Sequence, residues 1–142
     1  MPESLRLAAA AHRAAAEFTF RERFKIPEDG SALVVDQKEV SAAYHAVPST
    51  SGGMFVDECT RGDERRRSLG LLPPILHELY ELVRADERFV YITLCVKNRP
   101  GKGDEGLLVA QAQDDKHYVV AAWDVNGIDR WTLPPAGAPL SD

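Results

Sequence analysis

The most constraining feature of the sequence is a change of hydrophobic period between residues 86 and 89. Before it, Pro73 and Pro74 open a segment whose apolar residues recur at helical spacing. These residues are Ile75, Leu76, Leu79, Leu82 and Val83. Proline suits the first turn of a helix, and apolar residues at this spacing form one stripe. The segment therefore predicts an amphipathic helix that ends near Asp86 and packs through this stripe.

Four strand patterns follow this predicted helix. Residues 89–97 are mostly apolar at both the odd-numbered and the even-numbered positions, which is typical of a central strand with both faces covered. Residues 107–113, 117–123 and 128–133 are predicted as three further strands, and the connections between them are short. Short connections join antiparallel neighbours, whereas parallel neighbours need a long crossover. The second half of the chain therefore predicts a four-strand antiparallel meander.

The first half of the chain has weaker patterns. An alanine-rich segment from Ser4 to about Glu17 predicts a helix, because alanine is the best helix former. Residues 18–26 fit two structures. Phe18, Phe20 and Phe24 share one parity, as in a strand, but Phe20 and Phe24 also lie four apart, as in a helix. The remaining predictions are strands at 32–36 and 54–58 and a short helix at 37–44.

These elements together predict an α+β fold. We expect a mostly antiparallel sheet, with the C-terminal four-strand meander as its main part and the helices packed on one face. The length of 142 residues is that of one average domain. We assign residues 1–133 to a single α+β domain. Residues 134–142 have little to pack, which predicts a flexible C-terminal tail.

Charge and cysteine content limit the function classes. The net charge of −5 argues against nucleic-acid binding and favours a protein partner with a basic surface. Two cysteines are too few for a disulfide framework, so we expect free thiols in a reducing compartment. No stretch approaches the ~20 apolar residues of a membrane span, and His12 and Arg13 interrupt the N-terminal alanines. These features predict a cytoplasmic protein without a membrane segment.

A glycine motif at Gly101, Gly103 and Gly106 matches the G-x-G-x-x-G pattern of dinucleotide-binding proteins. In those proteins the motif opens a helix whose amides hold a pyrophosphate. Here only about ten residues separate Gly106 from the predicted strand at 117–123, which is too short for a crossover helix. The motif therefore indicates a hairpin loop, and no cofactor is expected.

Two further groups of residues contain side chains that can bind a metal or act in catalysis. His77 and Glu81 lie one helical turn apart, as in a zinc-binding helix, but no third ligand is evident and both point away from the apolar stripe. We therefore expect no metal site. Cys59 has the acids Asp57 and Glu58 before it, and negative charge raises a thiol pKa. A cysteine nucleophile with His45 as its base is therefore disfavoured.

The last predicted hairpin is the strongest candidate for a binding surface. Its two tryptophans either pack at the edge of the sheet or form an exposed aromatic platform with the charged residues between them. The candidate binding residues are Trp123, Asp124, Asp129, Arg130 and Trp131. A type I turn over residues 124–127, with a bulge at Gly127, would prevent Asp124 from facing Asp129, because like charges in opposite positions destabilise a ladder.

No motif identifies a catalytic site. We therefore expect a non-enzymatic protein-binding module of the inhibitor, immunity or adaptor type, with homodimer formation left open. The alternative is a small-molecule-binding protein or small enzyme with a pocket between sheet and helix. Small residues on the central strands motivate this alternative, namely Ala110, Ala112, Ala121 and Ala122. The candidate reactive groups of such a pocket are His77, Asp57 and Cys59.

Overall fold

The computed structural model describes residues 18–47, 53–61 and 69–141, so the predicted helix at residues 4–17 lies outside the described residues. In chain order the elements are α1 (Phe20–Arg23), β1 (Val34–Val35), α2 (Gln37–Ala46), β2 (Gly53–Cys59), two 3₁₀ turns (Leu69–Leu71 and Pro74–Leu76), α3 (His77–Ala85), β3 (Phe89–Arg99), β4 (Gly103–Ala112), β5 (His117–Asp124) and β6 (Gly127–Arg130).

All six strands in the described part of the chain belong to one antiparallel sheet. The order across it is β1-β5-β4-β3-β2, and β6 also pairs with β5. Val34 and Val35 of β1 pair with the start of β5, and β6 pairs with its end, so these two short strands share one edge of β5. The structure confirms the α+β class, the antiparallel sheet and the four-strand meander, which is formed by β3 to β6.

The two longer helices of the described residues lie on opposite faces of the sheet. Thr93 pairs with Asp57, the residue before Glu58, so Thr93 and Glu58 point to opposite faces. Gln37 of α2 donates to Thr93 over 3.3 Å, whereas Tyr80 of α3 donates to Glu58 over 2.6 Å. The placement of all helices on one face was therefore wrong. Strands that are apolar at both odd and even positions need other elements packed on both sides of the sheet. We call the two sides the α2 face and the α3 face, after the helix that packs on each.

Helix α3 packs through a different side from the one its apolar spacing predicts. Ile75 and Leu82 were expected in the core but are 57% and 54% exposed. The buried residues of the helix are Leu79, Tyr80, Val83 and Arg84. At about 100° per residue, this buried arc is rotated away from Leu82 and toward Tyr80. The hydrogen bond from Tyr80 to Glu58 stabilises that orientation, so α3 has apolar residues on its outer side as well.

Residues 18–26 contain a short helix, which decides between the two predicted structures. Thr19 accepts a hydrogen bond from the Glu22 amide over 3.2 Å, and the Thr19 amide donates to the Glu22 carboxylate over 3.0 Å. This reciprocal capping box satisfies the first amides of α1. Phe20 and Phe24 are both buried, so their spacing of four is the helical one.

The C-terminal segment makes defined contacts with Arg88. The guanidinium donates to the carbonyls of Pro134 and Pro135 over 2.8 and 3.0 Å and to that of Ala138 over 2.8 Å. It also donates to Asp86 over 2.9 and 2.6 Å. All five N–H groups of Arg88 are thus used. The sequence did not indicate these hydrogen-bond partners for residues 134–142. The flexibility of this C-terminal tail and the domain boundary at residue 133 stay predictions.

Candidate interaction surfaces

Both tryptophans of the last hairpin are buried, with 5% of Trp123 and 2% of Trp131 exposed. The Trp131 ring stacks on Tyr118, with centroids 5.4 Å apart and an interplanar angle of 8°. The Trp123 ring lies over Gly106, where an added Cβ would fall 2.1 Å from a ring atom. The exposed aromatic platform is therefore absent, because glycine on the neighbouring strand leaves room for the ring to pack.

The charged residues of that hairpin do not form one surface either. Asp124 is buried and accepts a hydrogen bond from the Thr19 hydroxyl over 2.7 Å. Asp129 forms ion pairs with Arg21 at 3.4 Å and Lys25 at 3.1 Å. Both carboxylates thus hold the segment around α1 against the α2 face. The exposed Arg130 is adjacent to Asp129 in β6 and points to the α3 face instead.

The turn between β5 and β6 agrees with the prediction in one respect and corrects it in another. Asp124 pairs with Gly127 and Ala122 pairs with Asp129, so the two aspartates do not face each other. The bulge predicted at Gly127 is absent, because Gly127 continues the ladder and is not among the glycines with positive φ. The Asn126 amide donates to the Asp124 side chain over 2.8 Å and closes the turn.

The glycine motif lies in a β-hairpin, and no helix follows it. Its loop is only Pro100–Lys102, since Gly103 and Gly106 belong to β4. Gly101 and Gly103 have φ of 73° and 81°, a conformation that glycine adopts without strain. The geometry offers no helix start at which a pyrophosphate would bind.

The candidate reactive groups are separated by the sheet. His77 lies on α3, where its Nε2 is 3.2 Å from the Leu72 carbonyl oxygen. Asp57 and Cys59 point to the α2 face. Among the described residues, no group of three or more His, Cys, Asp and Glu side chains is placed to hold a metal ion. The pocket hypothesis that combined His77, Asp57 and Cys59 is therefore contradicted.

Two buried groups have pKa values far from neutrality. Burial, followed by the charge of Asp57, raises the pKa of the Cys95 thiol to about 12. Burial and the hydrogen bond to Glu58 raise the pKa of Tyr80 to about 12. A thiolate is the nucleophilic form of cysteine, so Cys95 is inert at neutral pH.

The small residues of the central strands do not line a pocket beneath a helix. Ala110, Ala121 and Ala122 are completely buried. Ala112 alone of the four borders an open cleft, of about 630 Å³, between the β4–β5 turn and the C-terminal segment. Arg88 also lines this cleft, but all its donors are used by Asp86 and backbone carbonyls. The pocket predicted between sheet and helix is thus not found at these alanines.

One row of side chains on the α2 face remains open to solvent. It contains one residue from each of five neighbouring strands, each paired with the next: Val35, His117, Gln111, Tyr91 and Cys59. Tyr91 is 46% exposed, and the other four are half-buried. At the usual strand spacing the row is about 19 Å long. We call it the open row.

Carboxylates flank the open row. Asp57 is exposed and lies two residues before Cys59, on the same face. It accepts a hydrogen bond from Thr93, which orients it. On the other side of Tyr91, exposed Asp115 accepts a hydrogen bond from Gln111 over 3.1 Å. Tyr91 thus lies between two carboxylates.

A second surface is the groove between α3 and the segment that follows β6. Leu79, Leu82, Trp131 and Leu133 line it, and it has a volume of about 420 Å³. Glu78 and Arg130 also line it, from α3 and β6 respectively. We call this surface the α3 groove. The sequence pattern did not predict the α3 groove, because Leu82 was assigned to the core.

No protein-family model matches the chain, and no curated protein or solved structure matches it at a significant level. Within the part of the chain that the structure describes, no helix is both long and apolar enough to cross a bilayer. The chemistry of the chain's own surfaces is therefore the basis for a functional proposal.

Proposed function

We propose that this protein is a non-enzymatic protein-binding module, of the inhibitor, immunity or adaptor type, whose partner presents a basic segment to the open row. The observation that carries the proposal is the position of Tyr91. It is 46% exposed near the middle of the open row, and the carboxylates of Asp57 and Asp115 flank this row. Side chains on an antiparallel sheet alternate between faces, so the five side chains of the open row project from the same face, where a partner can contact them together.

The chemistry of the open row fits an arginine or lysine of the partner. A tyrosine ring attracts a cation over its face, by about 0.5–1 kcal/mol at an exposed site. Asp57 and Asp115 would accept charge-assisted hydrogen bonds from the same cation. The net charge of −5 adds long-range attraction, which raises association rates with basic partners. Tyrosine is also enriched among the residues that dominate binding energy at interfaces.

The test is affinity capture from native cell extract, followed by reconstitution with the purified partner and titration calorimetry. We expect Tyr91→Ala to weaken binding about ten-fold or more, the loss that defines an energetically important interface residue. Phe18→Ala is the matched control, because Phe18 is 45% exposed but lies near Arg99, at the end of β3 that is remote from Tyr91. Asp57→Asn should slow association and reduce its dependence on salt.

Two results would contradict this proposal. One is a stoichiometric partner whose affinity is the same for Tyr91→Ala, Asp57→Asn and the unmodified chain. That result would exclude the open row as the binding surface. The other is the absence of any protein partner together with a tightly bound small molecule, which would support the ligand-binding alternative.

A further inference from the structure

We propose that the α3 groove binds the α3 helix of a second copy of this chain, so that the protein is a two-fold symmetric dimer. This surface lies on the face opposite the open row, so the inference does not depend on the proposed function. It rests on two features of the groove. An apolar side chain projects beside a depression that is lined in part by leucines, and the walls of this depression have opposite charges.

The apolar feature is a projection and a depression on one surface. Leu82 is 54% exposed on the outer side of α3, and Ile75 is 57% exposed in the 3₁₀ turn that precedes this helix. Scattered exposed leucines are ordinary on protein surfaces. Here, however, Leu82 also borders the depression of about 420 Å³ that Leu79 and Leu133 line. In a two-fold dimer each copy presents the same patch, so a projection must lie beside the depression that its partner copy fills.

The charged feature identifies the occupant. Glu78 and Arg130 are both exposed, and among the described residues neither has an ion-pair or hydrogen-bond partner through its side chain. They lie on different walls of the groove and have opposite charges. A two-fold axis through the groove brings Glu78 of each copy toward Arg130 of the other, which forms two ion pairs from a single patch. This self-complementarity favours a second copy over an unrelated partner.

The first test is the mass of the full chain in solution, measured by sedimentation over a wide concentration range. We expect one chain at low concentration and two at high concentration. Glu78→Arg and Arg130→Glu should each weaken association about ten-fold, because each places like charges together at two symmetric positions. An equimolar mixture of the two variants should associate like the unmodified chain. In the mixed dimer the new arginine faces the new glutamate, and the native glutamate faces the native arginine.

A second pair of variants tests the apolar feature. Leu82→Arg should abolish dimer formation, because it removes the projecting apolar side chain and places a charge against Leu79 and Leu133 of the partner copy. Val125→Arg is the matched control, since Val125 is 63% exposed and lies in the β5–β6 turn, outside the groove. Circular dichroism should show that both variants remain folded.

A single-chain mass at all concentrations would overturn the inference. So would a dimer that is unaffected by Leu82→Arg, or a mixture of charge variants that fails to restore association. Partner binding through Tyr91 is measured separately, so failure of the dimer leaves the proposed function untouched, and the reverse also holds.

Discussion

Strand β3 has an arginine at each end, and each arginine holds a different terminal segment of the described chain. Arg99 is the last residue of β3, pairs with Glu105 and donates to the Phe18 carbonyl over 2.9 Å. Arg88 directly precedes β3, pairs with Asp86 and holds the C-terminal segment by its carbonyls. The chemistry is the same at both ends, since one guanidinium joins a carboxylate to backbone oxygens.

The two pairs differ in burial. The side chains of Arg99 and Glu105 are 3% and 1% exposed, whereas those of Arg88 and Asp86 are 17% and 13% exposed. Breaking a buried pair leaves an uncompensated charge in a medium of low polarity, whereas water reaches the more exposed pair and reduces the cost. We infer that the segment around α1 detaches only when the sheet itself opens. The C-terminal segment should detach alone.

The largest effect is expected from Arg99→Met. It leaves Glu105 buried with the Phe20 amide as a remaining donor, at 2.6 Å. Removing one member of a buried pair typically costs about 3–5 kcal/mol of unfolding free energy. Chemical denaturation measures this loss, which would be a large fraction of the about 5–15 kcal/mol that stabilises a typical native protein.

A double variant and a thiol probe sharpen this prediction. Arg99→Met combined with Glu105→Leu should cost less than Arg99→Met alone, because no unpaired charge remains. The Cys95 thiol lies four residues before Arg99 and is inert in the native state, with its pKa raised to about 12 by burial. Its labelling by a thiol reagent should accelerate in Arg99→Met and stay unchanged in an Arg88 variant. Equal acceleration in both would contradict the difference between the two ends.

A smaller effect is expected from Arg88→Ala. It removes the donors that hold the carbonyls of Pro134, Pro135 and Ala138. We expect a loss of about 1–2 kcal/mol, since hydrogen bonds to charged groups are worth somewhat more than neutral ones but are screened here. Hydrogen exchange should show loss of protection at Ala138, whose amide donates to the Pro135 carbonyl.

Arg88→Lys separates charge from geometry. Lysine keeps the positive charge but lacks the planar fork that reaches a carboxylate and three carbonyls at once. Most of the protection should therefore still be lost. Full protection in Arg88→Lys would mean that charge alone holds the C-terminal segment.

The smallest effect is a response of the C-terminal segment to acid. The hydrogen bonds from Arg88 hold the pKa of the Asp86 carboxyl below its ordinary value of 3.8. A lowered pKa stabilises the native state fully above about pH 3.8, and this contribution is lost as the pH falls through the lower native pKa. NMR signals of the C-terminal segment should therefore change below pH 3.8. In Asp86→Asn this change should be absent, because the asparagine side chain does not titrate in this range. Simultaneous change of all signals would show that the segment does not detach separately.

The local elements were largely predictable. The predicted strand at 117–123 is observed at His117–Asp124, and the predicted helix at 37–44 is observed at Gln37–Ala46. Strand β4 begins at Gly103, four residues before the predicted start, because Gly103 and Gly106 suggested a loop. The need for glycine at position 106 is explained by Trp123 on the neighbouring strand, because the tryptophan ring occupies the space of a side chain.

The α+β class and the order of strands in the meander follow from local sequence patterns, because hydrophobic period and short turns act between near neighbours in the chain. The pairing of distant polar groups is visible only in the folded chain. Thr19 bonds to Asp124 across 105 residues, and Phe20 bonds to Glu105 across 85. Such contacts depend on strand register and on the rotation of each helix, which no local pattern specifies. For the same reason, only the folded chain shows that Tyr91 is exposed and that both tryptophans are buried.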